Sequence, residues 1–168
     1  MDETKVVIRT SLGDVTVALD GDKSPKTVEN FLAYVDAEHY HGTVFHRVID
    51  GFMVQGGGYD AADNKKPVRG PVQNEADNGV KNKKGTVAMA RTNDPHSATS
   101  QFFFNVSDNA FLDHKSKSGA EWGYTVFGSV VEGMDVVEKI KAVKTGSRGA
   151  FAKDAPLEPV EILGVRRA

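Results

Sequence analysis

Phe45-His46-Arg47-Val48-Ile49-Asp50-Gly51-Phe52-Met53-Val54-Gln55-Gly56-Gly57 is the stretch on which the fold turns. Two short apolar-rich runs, Thr43 to Ile49 and Met53 to Gln55, flank Asp50-Gly51. Runs of this kind around a glycine-containing turn read as two strands of a hairpin. Asp-Gly is a strong signal for a two-residue turn, which would pair Ile49 with Phe52 and Arg47 with Val54. A three-residue connection, Asp50-Gly51-Phe52, is another common type and pairs Ile49 with Met53, Val48 with Val54 and Arg47 with Gln55. The two differ by one residue of register, and one residue turns every later side chain to the other face.

Outward from this segment, alternation marks more strands. Val6 and Ile8 alternate with polar neighbours, as do Val15, Val17 and Leu19, with the turn Ser11-Leu12-Gly13-Asp14 between them. That is a second hairpin. Ser24-Pro25 reads as an N-cap followed by proline at the first helical position. Val28, Phe31, Leu32 and Val35 then recur at helical spacing, predicting about three turns of amphipathic helix that end near Gly42. Thr86 to Ala90, Gln101 to Val106, Thr125 to Val131 and Val160 to Val165 read as further strands, and Met134 to Ile140 as a short helix. The stretch from Gly56 to Gly85 is rich in Gly, Asn, Asp, Lys and Pro and reads as one long connection, of a kind that is often functional, with Gly58 to Lys84 as the part expected to tune partner choice. About eight strands with short connections imply an antiparallel sheet, which eight strands can close into a filled barrel. The pattern alone leaves barrel and sandwich open, and it shows no βαβ repeat.

The whole chain, residues 1–168, reads as one domain without a linker or internal repeat. Lys plus Arg number 21 and Asp plus Glu 23, for a net charge of −2. That balance points to neither nucleic acid nor an anionic membrane as partner. Cysteine is absent, which excludes disulfides, thiolate metal sites and cysteine nucleophiles. The start, MDETKVVIRT, has no basic region followed by an apolar one, and no run is long enough to span a bilayer. The expectation is a cytoplasmic protein.

Some motifs fail on inspection. Gly56-Gly57-Gly58 is not followed by Gly-Lys-Ser/Thr or by a helix pattern, so it is no phosphate loop. His39, His41 and His46 are close in sequence, but the first two sit at a helix end, where histidine complements the dipole. No metal site is assigned. Lys65, Lys66, Lys81 and Lys83 read as a solvated face.

The opening segment closely resembles the signature of cyclophilins. Gly85-Thr86-Val87-Ala88-Met89-Ala90-Arg91 followed by Ser100-Gln101-Phe102-Phe103-Phe104-Asn105 agrees with it. So do Phe111-Leu112-Asp113, Tyr124-Thr125-Val126-Phe127-Gly128 and Glu132-Gly133-Met134-Asp135-Val136-Val137. The resemblance runs in order from about Val6 to Val165. It implies a mainly β fold, a closed eight-stranded antiparallel β-barrel capped by two α-helices. The implied activity is peptidyl-prolyl cis-trans isomerisation in the service of protein folding, with no cofactor.

Rotation about an X-Pro amide faces a barrier of about 18–20 kcal/mol because the bond has partial double character. No bond is made or broken, so a nucleophile or metal is not required. What helps is a dry surface for the proline ring and a donor aimed at the prolyl nitrogen, which becomes basic only in the twisted transition state. The resemblance assigns that donor to Arg47, whose guanidinium offers several N–H groups in one plane. It assigns to Gln55 the holding of Arg47 and of the substrate carbonyl. That pairing selects the three-residue connection, with Gly51 at positive φ. The implied proline pocket is Phe52, Met53, Phe103 and Leu112, with Phe111 and Tyr124 at the rim. Ala90, Arg91 and Thr92 match the edge where the substrate backbone docks, the backbone of Arg91 mattering more than its side chain. Gln101 matches a hydrogen-bonding rim residue and His46 a substrate contact, although strand alternation points His46 away from Arg47.

Two departures bear on ligands. Many eukaryotic cyclophilins have tryptophan at the position of Phe111 and histidine at that of Tyr124, so this chain resembles the bacterial subtype. The expected partners are proline-containing peptides and unfolded proteins, with weak binding of the drug cyclosporin and a monomeric state. Two other readings stay open on sequence: a non-catalytic module that holds proline segments, and a β-barrel hydrolase for which no nucleophile stands out.

Overall fold

The computed structural model describes residues 4–149 and 151–168. The first three residues, part of the N-terminal stretch read above, lie outside the described residues. The chain runs through β1 (Thr4–Thr10), β2 (Gly13–Leu19), α1 (Pro25–Asp36), β3 (Thr43–Val44), β4 (Arg47–Ile49), β5 (Met53–Gly56), β6 (Thr86–Met89), β7 (Phe102–Asn105), β8 (Val126–Glu132), α2 (Met134–Lys141), β9 (Thr145–Arg148), β10 (Phe151–Pro156) and β11 (Glu161–Arg167). Nine strands form one antiparallel sheet in the order β3-β11-β1-β2-β8-β6-β7-β5-β4. Its end strands, β3 and β4, are separated along the chain by only Phe45 and His46, so the sheet must curl until its two edges meet.

The fold is the mainly β, two-helix type expected, but the closed eight-stranded barrel is corrected to a curled sheet of nine. The run from Thr43 to Ile49 is divided. Its first part pairs with β11 and its second with β5, and between them Phe45 bonds Val160 through its backbone N–H. One bent segment therefore serves both edges of the curl. A two-stranded sheet of β9 and β10 stands apart and was not foreseen. Its residues, TGSR and FAKDAP, carry no period-two apolar pattern to announce a strand.

Alternation explains the core. Val6 and Ile8 of β1 and Val15, Val17 and Leu19 of β2 point inward and are buried. All four residues of β7 are buried, because β7 is central and both of its faces are covered. Phe102 and Phe104 join the main core, while Phe103 joins a smaller cluster with Met53, Ala88, Leu112 and Val126. The helices lay apolar stripes on the sheet: Val28, Phe31 and Val35 from α1, and Val136, Val137 and Ile140 from α2.

Two local expectations change. Ser24 does not cap α1 with its side chain; its hydroxyl donates to Val126 O at 2.7 Å. The carboxylate of Glu75 takes over, accepting from the N–H groups of Thr27 and Lys26 at 2.7 and 3.3 Å. An anion at a helix N-terminus is favoured by the dipole, whichever part of the chain supplies it. His39 lies beyond the helix end, packed against Tyr34 and Tyr40, and burial holds its pKa below the usual histidine value. It therefore packs as an aromatic beyond the last turn of α1 and does not cap it.

Candidate active site

The hairpin β4–β5 has the three-residue connection. Ile49 pairs with Met53, Val48 with Val54 and Arg47 with Gln55. Gly51 has φ +79°, and Phe52 N–H donates back to Ile49 O at 3.0 Å. Only a residue without Cβ takes that φ freely, so glycine sets the register. In consequence Arg47 and Gln55 share one face, and Val48 and Val54 are buried on the other.

That face borders a cavity of about 100 Å³ lined by Arg47, Phe52, Met53, Gln55, Ala90, Arg91, Phe103, Leu112 and Tyr124. It has room for about three waters, or for one saturated five-membered ring. The buried members Met53, Phe103 and Leu112 supply apolar surface, while Phe52 and Tyr124 are half-buried. Phe103 and Tyr124 meet edge to face at 5.8 Å. Phe111 is outside the lining; it is 64% exposed and leans on Phe52 at 5.4 Å. A larger groove of about 550 Å³ lies near Asp20, Thr86 and Ser129, but it brings no cation against an apolar floor.

Polar groups surround this floor. Gln55 Nε2 donates to Gln101 Oε1 at 2.9 Å, which places Gln101 just outside the cavity. The side chain of Gln101 fits because Gly58 is bare: a Cβ there would meet it at 2.5 Å. Among the described residues the Arg47 side chain has no hydrogen bond or ion pair, so its donors remain available. The expected Gln55 hold on Arg47 is replaced by the Gln55–Gln101 bond. Ala90 N–H donates to Gln101 O at 3.0 Å. Thr92 is exposed and turned away, its hydroxyl bonded to Ser97.

His46 corrects the expectation of a substrate contact. It points to the other side of β4, where it is buried between Tyr59 and Phe151 at 4.8 and 5.3 Å. Burial first, and the positive charge of Arg47 second, lower its pKa to about 4. The unfolded chain, with an ordinary value near 6.5, then binds more protons than the folded one between about pH 6.5 and about pH 4. Stability is expected to fall with pH through that window, by about 1 kcal/mol between about pH 7 and about pH 5.5 from His46 alone. Urea midpoints at the two pH values, compared with His46→Gln, check this; His39 acts in the same direction, so the difference between proteins is the readout.

Sequence reasoning missed the asparagines behind the site. Asn82 accepts from Asn105 Nδ2 at 3.0 Å and donates to Leu112 O at 3.3 Å, and its backbone N–H donates to Asp113 at 2.6 Å. Asn74 donates to Gly123 O at 3.0 Å. Asn109 donates to Phe52 O at 2.9 Å. The long connection thus ties the loop carrying Leu112 and Tyr124 to the sheet. A buried asparagine and a solvated one have the same letter, so no pattern announced it.

Comparison with known proteins follows the same lines. The family model for cyclophilin type peptidyl-prolyl cis-trans isomerases matches residues 5–167. Peptidyl-prolyl cis-trans isomerase cyp18 of Streptomyces antibioticus is 59% identical over 157 residues, covering 94% of each chain. Peptidyl-prolyl cis-trans isomerase B of Escherichia coli is 52% identical over 160 residues, covering 95% of this chain and 97% of its own. A cyclophilin type isomerase of Cryptosporidium parvum superposes with a TM-score of 0.80 at 23% identity, over 99% and 98% of the two chains. The structure of that protein in the presence of the dipeptide Ala-Pro gives 0.78.

Proposed function

The chain belongs to the cyclophilin-type peptidyl-prolyl cis-trans isomerases, and from that premise we propose that Arg47 is its catalytic residue and the cavity beside it the proline site. The carrying observation is the Arg47–Gln55 pair, set by register beside the apolar floor of Met53, Phe103 and Leu112. The proline ring seats on that floor and is desolvated. Gln55 and the backbone edge at Ala90 and Arg91 hold the neighbouring amides. As the bond twists, the prolyl nitrogen regains its lone pair, and an N–H of Arg47 donates to it. That bond is available only in the twisted state, so it lowers the barrier without deepening the ground state. Gln101 orients Gln55, and the remaining expected contacts, Thr92 and Phe111, act from the rim.

The residues 1–168 form one isomerase domain in this proposal, acting without a cofactor, as a cytoplasmic monomer, on proline-containing peptides and unfolded proteins. Titration of an Ala-Pro peptide followed by NMR tests the site. Shift changes are expected at Phe103, Leu112 and Tyr124. Changes clustered instead on Asp20 and Thr86 would move the site to the larger groove.

Cyclosporin is expected to bind weakly, and Phe111→Trp to tighten it by about tenfold. Phe111 already projects from the rim, and an indole adds apolar area and an N–H donor there. Equal affinities of the two proteins in a fluorescence titration would end this expectation.

A further inference from the structure

Arg47 and Arg91 are the two charged residues of the cavity lining, and the lining contains no carboxylate. The local sign is therefore opposite to the net charge of −2. Arg9, Arg148 and Arg167 each have a carboxylate partner, at 3.9, 3.2 and 2.8 Å. Among the described residues neither Arg47 nor Arg91 has one within 4.0 Å.

Arg91 is also held in place. Its Nε donates to Gly123 O at 3.0 Å and its Nη1 to Thr92 O at 2.8 Å, and its guanidinium lies over the Tyr124 ring at 4.5 Å. Carbonyls and a ring face orient a guanidinium without cancelling its charge. A fixed cation has given up its rotamer freedom before any substrate arrives, so an anion bound there does not bear that cost.

We propose that Arg91, with Arg47, makes this a site for acidic prolyl substrates, with Arg91 as the specificity-determining residue. An aspartate or glutamate beside the proline is attracted, and a lysine or arginine there is repelled. This rests on the cavity being the prolyl site.

The test is kcat/KM for matched peptides with Glu, Gln or Lys immediately before the proline, and for a second set with the same residues after it. At low ionic strength Glu is expected to exceed Lys by about three- to tenfold on at least one side, with Gln between. The ratio shrinks in about 1 M salt. Arg91→Gln brings the Glu:Lys ratio toward one, and Arg91→Lys keeps part of it. Because the ratio is taken within each variant, a general loss of activity cancels. A strap that only positions Tyr124 would lower all peptides alike and leave the ratio unchanged; that result overturns the proposal. So does a native ratio of one in both sets. If the ratio is one while Arg47→Ala is inactive, only the selectivity fails; if Arg47→Ala is fully active, the site itself fails.

Discussion

Arg47→Ala is expected to slow isomerisation of an X-Pro peptide about tenfold to a hundredfold and to leave the fold intact. A hydrogen bond from a charged donor contributes about 1.5–3 kcal/mol, and about 1.4 kcal/mol is one decade in rate. The loss should fall on kcat, because the bond forms only as the amide twists. The fold is spared because Arg47 is exposed and, among the described residues, pairs with no carboxylate and caps no helix. Removing a surface side chain of that kind usually changes stability by less than about 0.5 kcal/mol. Exchange rates by NMR, together with a urea denaturation curve, separate the two effects. A folded Arg47→Ala protein with near-normal activity would end the mechanism.

The same segment shows what a sequence can carry. Alternation of Val48 and Val54 marks two strands with a buried face, yet both candidate turns keep them strands. Nothing in the letters Asp50-Gly51-Phe52 chooses between two and three residues, and that choice decides whether Gln55 faces Arg47. Only the implied chemistry chose, and the observed register agrees. Where a signal is periodic and local, as in β1, β2 and α2, the elements fall close to their expected places, whereas α1 begins at Pro25 as expected but ends at Asp36 and not near Gly42, because its apolar spacing stops at Val35. Where the decisive partner is distant, the sequence is silent. Glu75 caps α1 at Thr27 from 48 positions away, a separation that no capping motif covers. Asn82 reaches Leu112 and Asn105 from inside a stretch whose composition reads as plain loop. The β9–β10 hairpin lacks apolar alternation because most of its residues are exposed or half-exposed. Its one aromatic, Phe151, packs on His46, and that contact lies behind the histidine's absence from the cavity.

Adjacent phenylalanines of β7 should separate stability from catalysis. Phe102→Ala is expected to cost about 3–5 kcal/mol, against a typical total of about 5–15 kcal/mol. Phe102 is fully buried and packs against Phe31, Tyr40, Phe45 and Phe104, with ring centroids 5.4–6.3 Å away. Four rings held by separate elements cannot close over the hole together, so most of the cavity would persist. Phe103 faces the other way, opposite Gln55 and Ala88, and lines the proline cavity. Phe103→Ala enlarges a cavity that already opens outward, so its expected cost is smaller, about 1.5–3 kcal/mol. Its effect on the reaction is larger, because the proline ring loses a principal apolar surface; kcat/KM is expected to fall about tenfold or more. Activity per folded molecule should survive in Phe102→Ala, assayed well below its lowered melting temperature. Phe102→Leu provides the milder version if the alanine variant does not accumulate. The outcome that sinks this division is a Phe103→Ala protein with native kcat/KM and a stability loss equal to that of Phe102→Ala. It would mean that the strand's two faces do not divide as the register β5–β7 requires.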